Sequence, residues 1–366
     1  MDLKHLIFIF LLLSSIFAQR QYIPTPRHSH TAVMIGKKIY FKGGVNQGFD
    51  GLGFEDFFYL DLSIPIDTTQ KQKIPFFSEN NEGLTANSWS ISGLGGINKD
   101  QIFIFGGFMK DNSSLVLQYD SPNKRWITPI INGSPLPIRR RETSGVVDDE
   151  GLMYIWSGTT DTFFGQPFDI INDMVILDTI GLSWQIKSTP FARYSSTAVL
   201  LPDGMILYIG GRSEDFGYVP MNQLPIYNTK SDTWFNITTS GIIPESRVGH
   251  TATLVPDGRI IVYGGIHMIG EAYLPPKEDL IVLNTSRPIY DWKVPQIQKM
   301  PASRSTDELH ILDISNEAEY KWVTTMDKPV YHQNDQIQEY HNDFQTPTLT
   351  ISSQEYKTAT GPANWL

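Results

Sequence analysis

The 366-residue chain contains no cysteine. Disulfide staples, thiolate metal sites and thiol nucleophiles are therefore excluded, and stability must come from packing. Positive charge is also in deficit: 29 Lys and Arg against 39 Asp and Glu give a formal charge of −10. With no basic stripe to neutralise phosphates, nucleic acid is not expected as a partner. Long apolar runs are missing after residue 18, so no membrane-spanning segment is expected in the mature chain. No Gly/Ser or Pro-repeat linker divides the sequence, no pair of His stands at helical metal spacing, and no Gly-rich phosphate loop occurs. No cofactor and no resident metal are expected.

The N-terminus is one of the few strongly patterned apolar stretches. Lys4 precedes the run Leu6 to Leu13, and Ser14 to Ala18 ends in a small residue suited to cleavage, which reads as a signal peptide over residues 1–18. Four sequons, at Asn112, Asn132, Asn236 and Asn284, sit in or beside expected turns and fit passage through a secretory pathway. The expected localisation is secreted or extracellular. Residues 329–366 are polar and without sustained period, and are expected to form a disordered tail.

The remainder is organised by punctuation. Diglycines stand at Gly43-Gly44, Gly106-Gly107, Gly210-Gly211 and Gly264-Gly265, with Ser157-Gly158 as a worn copy. Each follows a β-branched and aromatic run, such as Ile39 to Phe41 or Ile260 to Tyr263, and each precedes another apolar run that closes on Asp or Asn. Asp120, Asp178 and Asn228 are each followed six residues later by Trp126, Trp184 and Trp234. β-rich runs bounded by turn residues read as short antiparallel strands, four to a unit, with a period of roughly 50 residues.

A period of this length with Gly-Gly and a downstream Trp resembles the kelch repeat, the blade of a β-propeller, over about residues 27 to 326. Its strand-one pattern recurs as Arg27…His30-Thr31, Arg193…Thr197-Ala198 and Arg247…His250-Thr251, is degraded at Arg140…Thr143 and nearly absent at Trp89…Ser92. The resemblance implies an all-β kelch-type propeller over residues 19–328, of the secreted fungal type. Five complete blades are expected, at roughly 27–75, 87–131, 139–190, 193–241 and 247–297, followed by a partial sixth. Trp292 to Asp313 spans only 21 residues where neighbouring blades have 44 to 52, so the sixth blade is expected to lack its inner hairpin: either the chain is an alternatively spliced or misassembled form of a six-bladed parent, or it folds with an open seam and tends to associate. Tyr22-Ile23 is placed to cover part of one edge.

In such a blade the loop joining strands two and three opens on the same face as the connection to the next blade. The residues gathered there supply the candidate ligand-binding set: Phe54, Phe163, Phe164, Phe168, Phe216, Tyr218 and Tyr273, with Arg140, Arg193 and Arg247. The arginines recur from blade to blade, which favours a structural role in bonding to neighbouring turns and carboxylates; the aromatics do not recur, which favours recognition. The fold is shared with the central domain of galactose oxidase, but that family's copper centre with a tyrosine–cysteine cross-link cannot form without cysteine. The expected function is a non-catalytic binding module for an extracellular protein or carbohydrate. A propeller enzyme acting on a sugar or small molecule in the channel, and the ectodomain of a membrane-anchored receptor, are the alternatives, and fold alone does not separate them.

Overall fold

The computed structural model describes residues 21–46, 53–109, 114–160, 168–269, 272–298 and 309–327. Apart from one 3-10 turn at Lys71–Lys73, every regular element among them is a β-strand. The strands form six blades. In blade one the strands run Thr31–Ile35, Lys38–Lys42, Phe57–Asp61 and Phe76–Ser78, each antiparallel to the last. Blades two to five repeat this order from inner strands Ile91–Gly95, Gly145–Val147, Thr197–Leu200 and Val248–Leu254. The sixth contains Ile311–Asp313 and Glu319–Val323, with Gln296–Gln298 added in parallel to the latter. Inner strands pack in succession around the channel from blade one to blade five.

Alternation within the strands explains the packing. The second and third strands are buried on both faces, so they read as nearly continuous apolar runs such as Ile102 to Phe105 or Val175 to Leu177. One face of each blade packs on the preceding blade and the other on the following one. Six apolar clusters result, one for each junction of the ring. Blades three and four, for example, share Tyr154, Trp156, Ile176, Tyr208 and Tyr227.

The repeating tryptophan lies on the outer strand and wedges against the blade before it. Trp126 of blade two meets Phe57 of blade one at 4.9 Å between centroids, and Trp234 of blade four meets Trp156 of blade three at the same distance. Trp292 of blade five is 1% exposed, and its indole N–H donates to the Met221 carbonyl of blade four over 2.9 Å. Burial of the indole with its donor satisfied makes this a strong inter-blade contact. Blade one has no such tryptophan. Its outer strand carries Phe76 and Phe77 and lies past residue 75, beyond the expected boundary, because a long connection containing the 3-10 turn precedes it.

The expected open seam is covered on both sides in the described residues. Leu309, Ile311 and Met326 join Ile39, Phe41, Phe58 and Leu60 of blade one, while Tyr320, Leu312 and Trp322 join Leu280 and Val282 of blade five. Arg259 of blade five donates to the Tyr320 hydroxyl (2.5 Å) and to the Ile314 carbonyl (3.2 Å). Thr325–Met326 pairs with Ile66–Asp67 of blade one. Residues 299–308, where the inner hairpin is expected to be lacking, lie outside the described residues.

Tyr22 fastens the chain's start to blade one: its N–H donates to Phe76 O (2.8 Å) and its ring stacks on Phe58 at 4.6 Å. Trp292→Ala removes a whole buried indole and leaves the Met221 carbonyl with only the longer bond from the Thr239 hydroxyl (3.3 Å). It is expected to cost about 3–5 kcal/mol in urea unfolding. A loss under about 1 kcal/mol would show that the wedge contributes little.

Candidate functional site on the loop face

The residues at the strand-two-to-three face are positioned by the diglycines. Both glycines of each pair have positive φ, from 64° to 93° in blades one, two, four and five, a region open to glycine at little cost. The first carbonyl accepts a guanidinium N–H from the same blade: Arg27 to Gly43 (3.0 Å), Arg140 to Ser157 (3.3 Å), Arg193 to Gly210 (3.4 Å) and Arg247 to Gly264 (3.2 Å). The second N–H crosses to the next blade and donates to the backbone carbonyl at that blade's arginine position: Gly44 to Asn87 and Gly107 to Arg140 (both 2.8 Å), Gly158 to Arg193 and Gly211 to Arg247 (both 3.0 Å).

Asn87 therefore stands where the other blades have arginine, two residues before the expected alignment on Trp89. Ser157, the worn glycine, adds a bond of its own, accepting the Arg193 N–H at 2.7 Å.

This placement decides the roles of the candidate arginines. Arg140 and Arg247 are 0% exposed. Arg140 is ion-paired with Asp173 at 2.6 Å, and Arg247 also donates to Glu278 O at 3.0 Å. This is the structural role that their recurrence favours: the guanidinium groups bond inside the blade and sit away from solvent at the mouth. Arg193 is half-buried, stacked over Phe191 at 5.8 Å. Desolvation pulls its guanidinium, and that of Arg247, down to about 10. Phe54 covers the Arg27 guanidinium at 4.4 Å and so belongs to the same packing.

Other candidates do come together. Phe168, from the loop of blade three, lies 6.0 Å from Phe216 and 5.8 Å from Tyr194 of blade four, and Tyr194 lies 6.3 Å from Phe216. Beside this triangle Arg212 stacks over Tyr218 (5.1 Å) and Tyr194 (5.8 Å), held by a bond from its Nε to the Phe216 carbonyl (2.8 Å). Tyr194 is the buried base, while Phe216 is 50% exposed and has φ of 62°. A bulky residue in the left-handed region costs roughly 1–2 kcal/mol and is fixed here by the turn Ser213–Gly217, whose ends are bonded. The turn thus holds a large aromatic at the surface over a buried tyrosine. Exposed Asp169 and Asp215 flank it.

Tyr273 lies in the hairpin strand Ala272–Leu274, its backbone opposite Met268. Phe163, Phe164 and the sequon at Asn112 lie outside the described residues.

Nearer the channel, one residue of each inner-strand lead-in takes positive φ: Ser29, Trp89, Glu142, Ser195 and Gly249, between 52° and 66°. Trp89 N donates to Ser29 O (2.8 Å), and Ser195 donates to Glu142 through both backbone (2.6 Å) and hydroxyl (2.9 Å). Trp89 is flanked by the His28 ring at 5.9 Å and the Arg141 guanidinium at 5.7 Å. Sequence reasoning passed over Trp89, Glu142, Tyr194 and Arg212. For Arg212 and Tyr194 a signal existed in their adjacency to a diglycine and to the repeated arginine.

Among the described residues, no group of three or more His, Asp or Glu lies close enough to hold a metal, and no helix is long and apolar enough to cross a membrane.

These features define the class: an all-β, six-bladed kelch-type propeller with a loop face bearing one aromatic and arginine patch. The family model described as the KLHDC2/KLHL20/DRC7 Kelch-repeats domain matches residues 29–265 and again residues 151–316, and the chain belongs to that family. Among curated proteins, it is 24% identical over 268 residues to human Kelch domain-containing protein 3, covering 65% of this chain and 64% of the relative. It is 26% identical over 272 residues to Arabidopsis thaliana acyl-CoA-binding domain-containing protein 5, covering 72% of this chain and 39% of the relative. The chain thus spans less than two thirds of these relatives. A solved structure, that of YjhT, aligns with TM-score 0.55 at 14% identity over 74% of this chain and 84% of its own, which shows the fold.

The repeat's histidines give a pH prediction. Burial first, then the charge of Arg27 or Arg247, pushes His30 down to about 4 and His250 down to about 3. In the unfolded chain both protonate near 6.5. The unfolded state therefore takes up protons first, and stability is lost as pH falls through the window from about 6.5 to about 4. At pH 5 the loss is on the order of 2 kcal/mol per histidine. Urea unfolding at neutral pH and at pH 5 should show a larger drop for the wild-type chain than for His30→Gln with His250→Gln. Equal drops would contradict the assignment.

Proposed function

We propose that the chain is a secreted, non-catalytic recognition module that holds an extracellular protein or carbohydrate on its loop face, at the patch formed by Phe168, Tyr194, Arg212, Phe216 and Tyr218. The kelch propeller is a typical protein-interaction module. The observation that carries the reading is Phe216: half exposed, in a costly backbone conformation, and backed by a buried tyrosine and a second phenylalanine from the neighbouring blade. Aromatic anchors on a rigid scaffold are what binding hot spots require. The leader-like residues 1–18 and the four sequons support the extracellular assignment, and the charge of −10 favours partners that are not polyanions. The sixth blade is proposed to lack its inner hairpin, as the short Trp292 to Asp313 spacing suggests.

The patch is tested with Phe216→Ala and Phe168→Ala. Binding to partners recovered by glycan array and by pull-down from extracellular fluid should weaken at least about tenfold. The thermal midpoint of Phe216→Ala should stay nearly unchanged, whereas Tyr194→Ala, which removes the buried base, should lower it. Unchanged binding in the two phenylalanine variants would place recognition elsewhere.

A further inference from the structure

Every blade ends in an outer strand whose far edge can recruit another chain. Four of the six edges are covered by the chain itself. Tyr22 N bonds to Phe76 O on blade one, and on blade three Asn132 bridges Ser183 at one end of an outer strand whose other end carries Lys187. Ser240–Gly241 runs parallel to Asp291–Lys293 on blade five, and Gln296–Gln298 parallel to Glu319–Val323 on blade six. On blade two the outer strand is only Arg125–Ile127, and Asn80 bonds to Lys124 and Trp126 beside it.

Blade four is different. Its outer strand, Thr233–Thr238, has six residues, and no strand among the described residues pairs with its far side. The segment reads Thr-Trp-Phe-Asn-Ile-Thr: β-branched and aromatic, without charge or proline, and with Phe235 39% exposed. Such an edge is a template for intermolecular pairing.

The sequon Asn236-Ile237-Thr238, expected in or beside a turn, falls within this strand, which runs on past the Asp232 turn. Asn236 and Thr238 are exposed and, two residues apart, point to the same side. The Asn236 amide makes no hydrogen bond among the described residues. Asn284, by contrast, is tied into a turn, its Oδ1 accepting from Ser286 N (3.0 Å) and Oγ (2.6 Å).

We propose that Asn236 carries an N-linked oligosaccharide, and that this glycan shields the outer edge of blade four as covering segments shield the others. The inference rests on the secretory reading above. In the transfer, the Asn236 amide nitrogen bonds to C1 of a sugar delivered on a lipid pyrophosphate. The C1–oxygen bond breaks, the pyrophosphate leaves with the bonding pair, and the amide gives up one proton. The product is bulky and hydrated, and it excludes a second strand from the edge.

The test is expression of the full chain in a eukaryotic secretory host, followed by peptide mapping after amidase treatment, which converts each occupied asparagine to aspartate. Occupancy at Asn236 is expected, together with a monomer by light scattering that shifts to dimers or larger species when the glycan is removed from the folded protein, and likewise in Asn236→Gln. An unmodified Asn236 beside an occupied Asn112, Asn132 or Asn284 overturns the inference and leaves the secretory reading intact. No occupied sequon at all overturns both. An occupied Asn236 whose removal leaves the protein monomeric overturns the shielding role.

Discussion

The contact on which the propeller depends is the bond from the second glycine N–H of one blade to the backbone carbonyl at the arginine position of the next. It occurs at four consecutive junctions. At three of them the first glycine approaches so closely that a Cβ would collide with the neighbouring blade: 2.1 Å from Asn87 O at Gly43, 2.5 Å from Arg140 O at Gly106 and 2.6 Å from Arg247 O at Gly210. At these three glycine serves twice, for its positive φ and for the lack of a side chain, whereas the remaining junction accommodates Ser157 at φ 57°, its hydroxyl bonded to Ile171 O at 2.8 Å. The buried arginine closes the node by occupying the first glycine's carbonyl, which would otherwise be a buried acceptor with one partner fewer. Gly264 differs in meeting nothing within 4 Å among the described residues, and it faces the junction with the sixth blade.

This node separates structure from recognition on the loop face. Because the recurring arginines are spent on carbonyls and on Asp56 and Asp173, the face is rigid without offering their charge to a ligand. What projects from it is set by the loops that each blade varies. The turn Ser213–Gly217 lifts Phe216, and the adjacent strand end supplies Tyr194 beneath it. In the proposed recognition role, a stiff base under an exposed aromatic would lower the entropy lost on binding.

Much of this was legible in the sequence, because a propeller writes its junctions into every repeat. Gly-Gly marks the node, and tryptophan six residues after Asp or Asn marks the wedge. Where a junction is built from other residues the signal fails. Blade one's outer strand uses Phe76-Phe77, so its boundary fell short. Asn87 replaces arginine, and the longer Gly95 to Asp100 turn shifts its distance from Gly106, so blade two was aligned two residues late. The covering segments Ser240–Gly241 and Gln296–Gln298 depend on parallel pairing between separate blades, which has no local pattern. In the site, the recurrence of Arg247 and its counterparts pointed to a structural role, but no pattern told that Tyr194, beside a structural arginine, supports a surface residue.

The central claim, that inter-blade backbone contact at the diglycine holds the ring, is tested most directly by comparing Gly106→Ala with Gly36→Ala, in the hairpin turn of blade one. The two glycines have nearly the same φ, +64° and +57°, so the conformational penalty of alanine is shared. Of the two, only Gly106 has a carbonyl in the way among the described residues. Equilibrium unfolding in urea should show Gly106→Ala to be the more destabilised, by about 2 kcal/mol or more. Equal losses in the two variants would contradict the account.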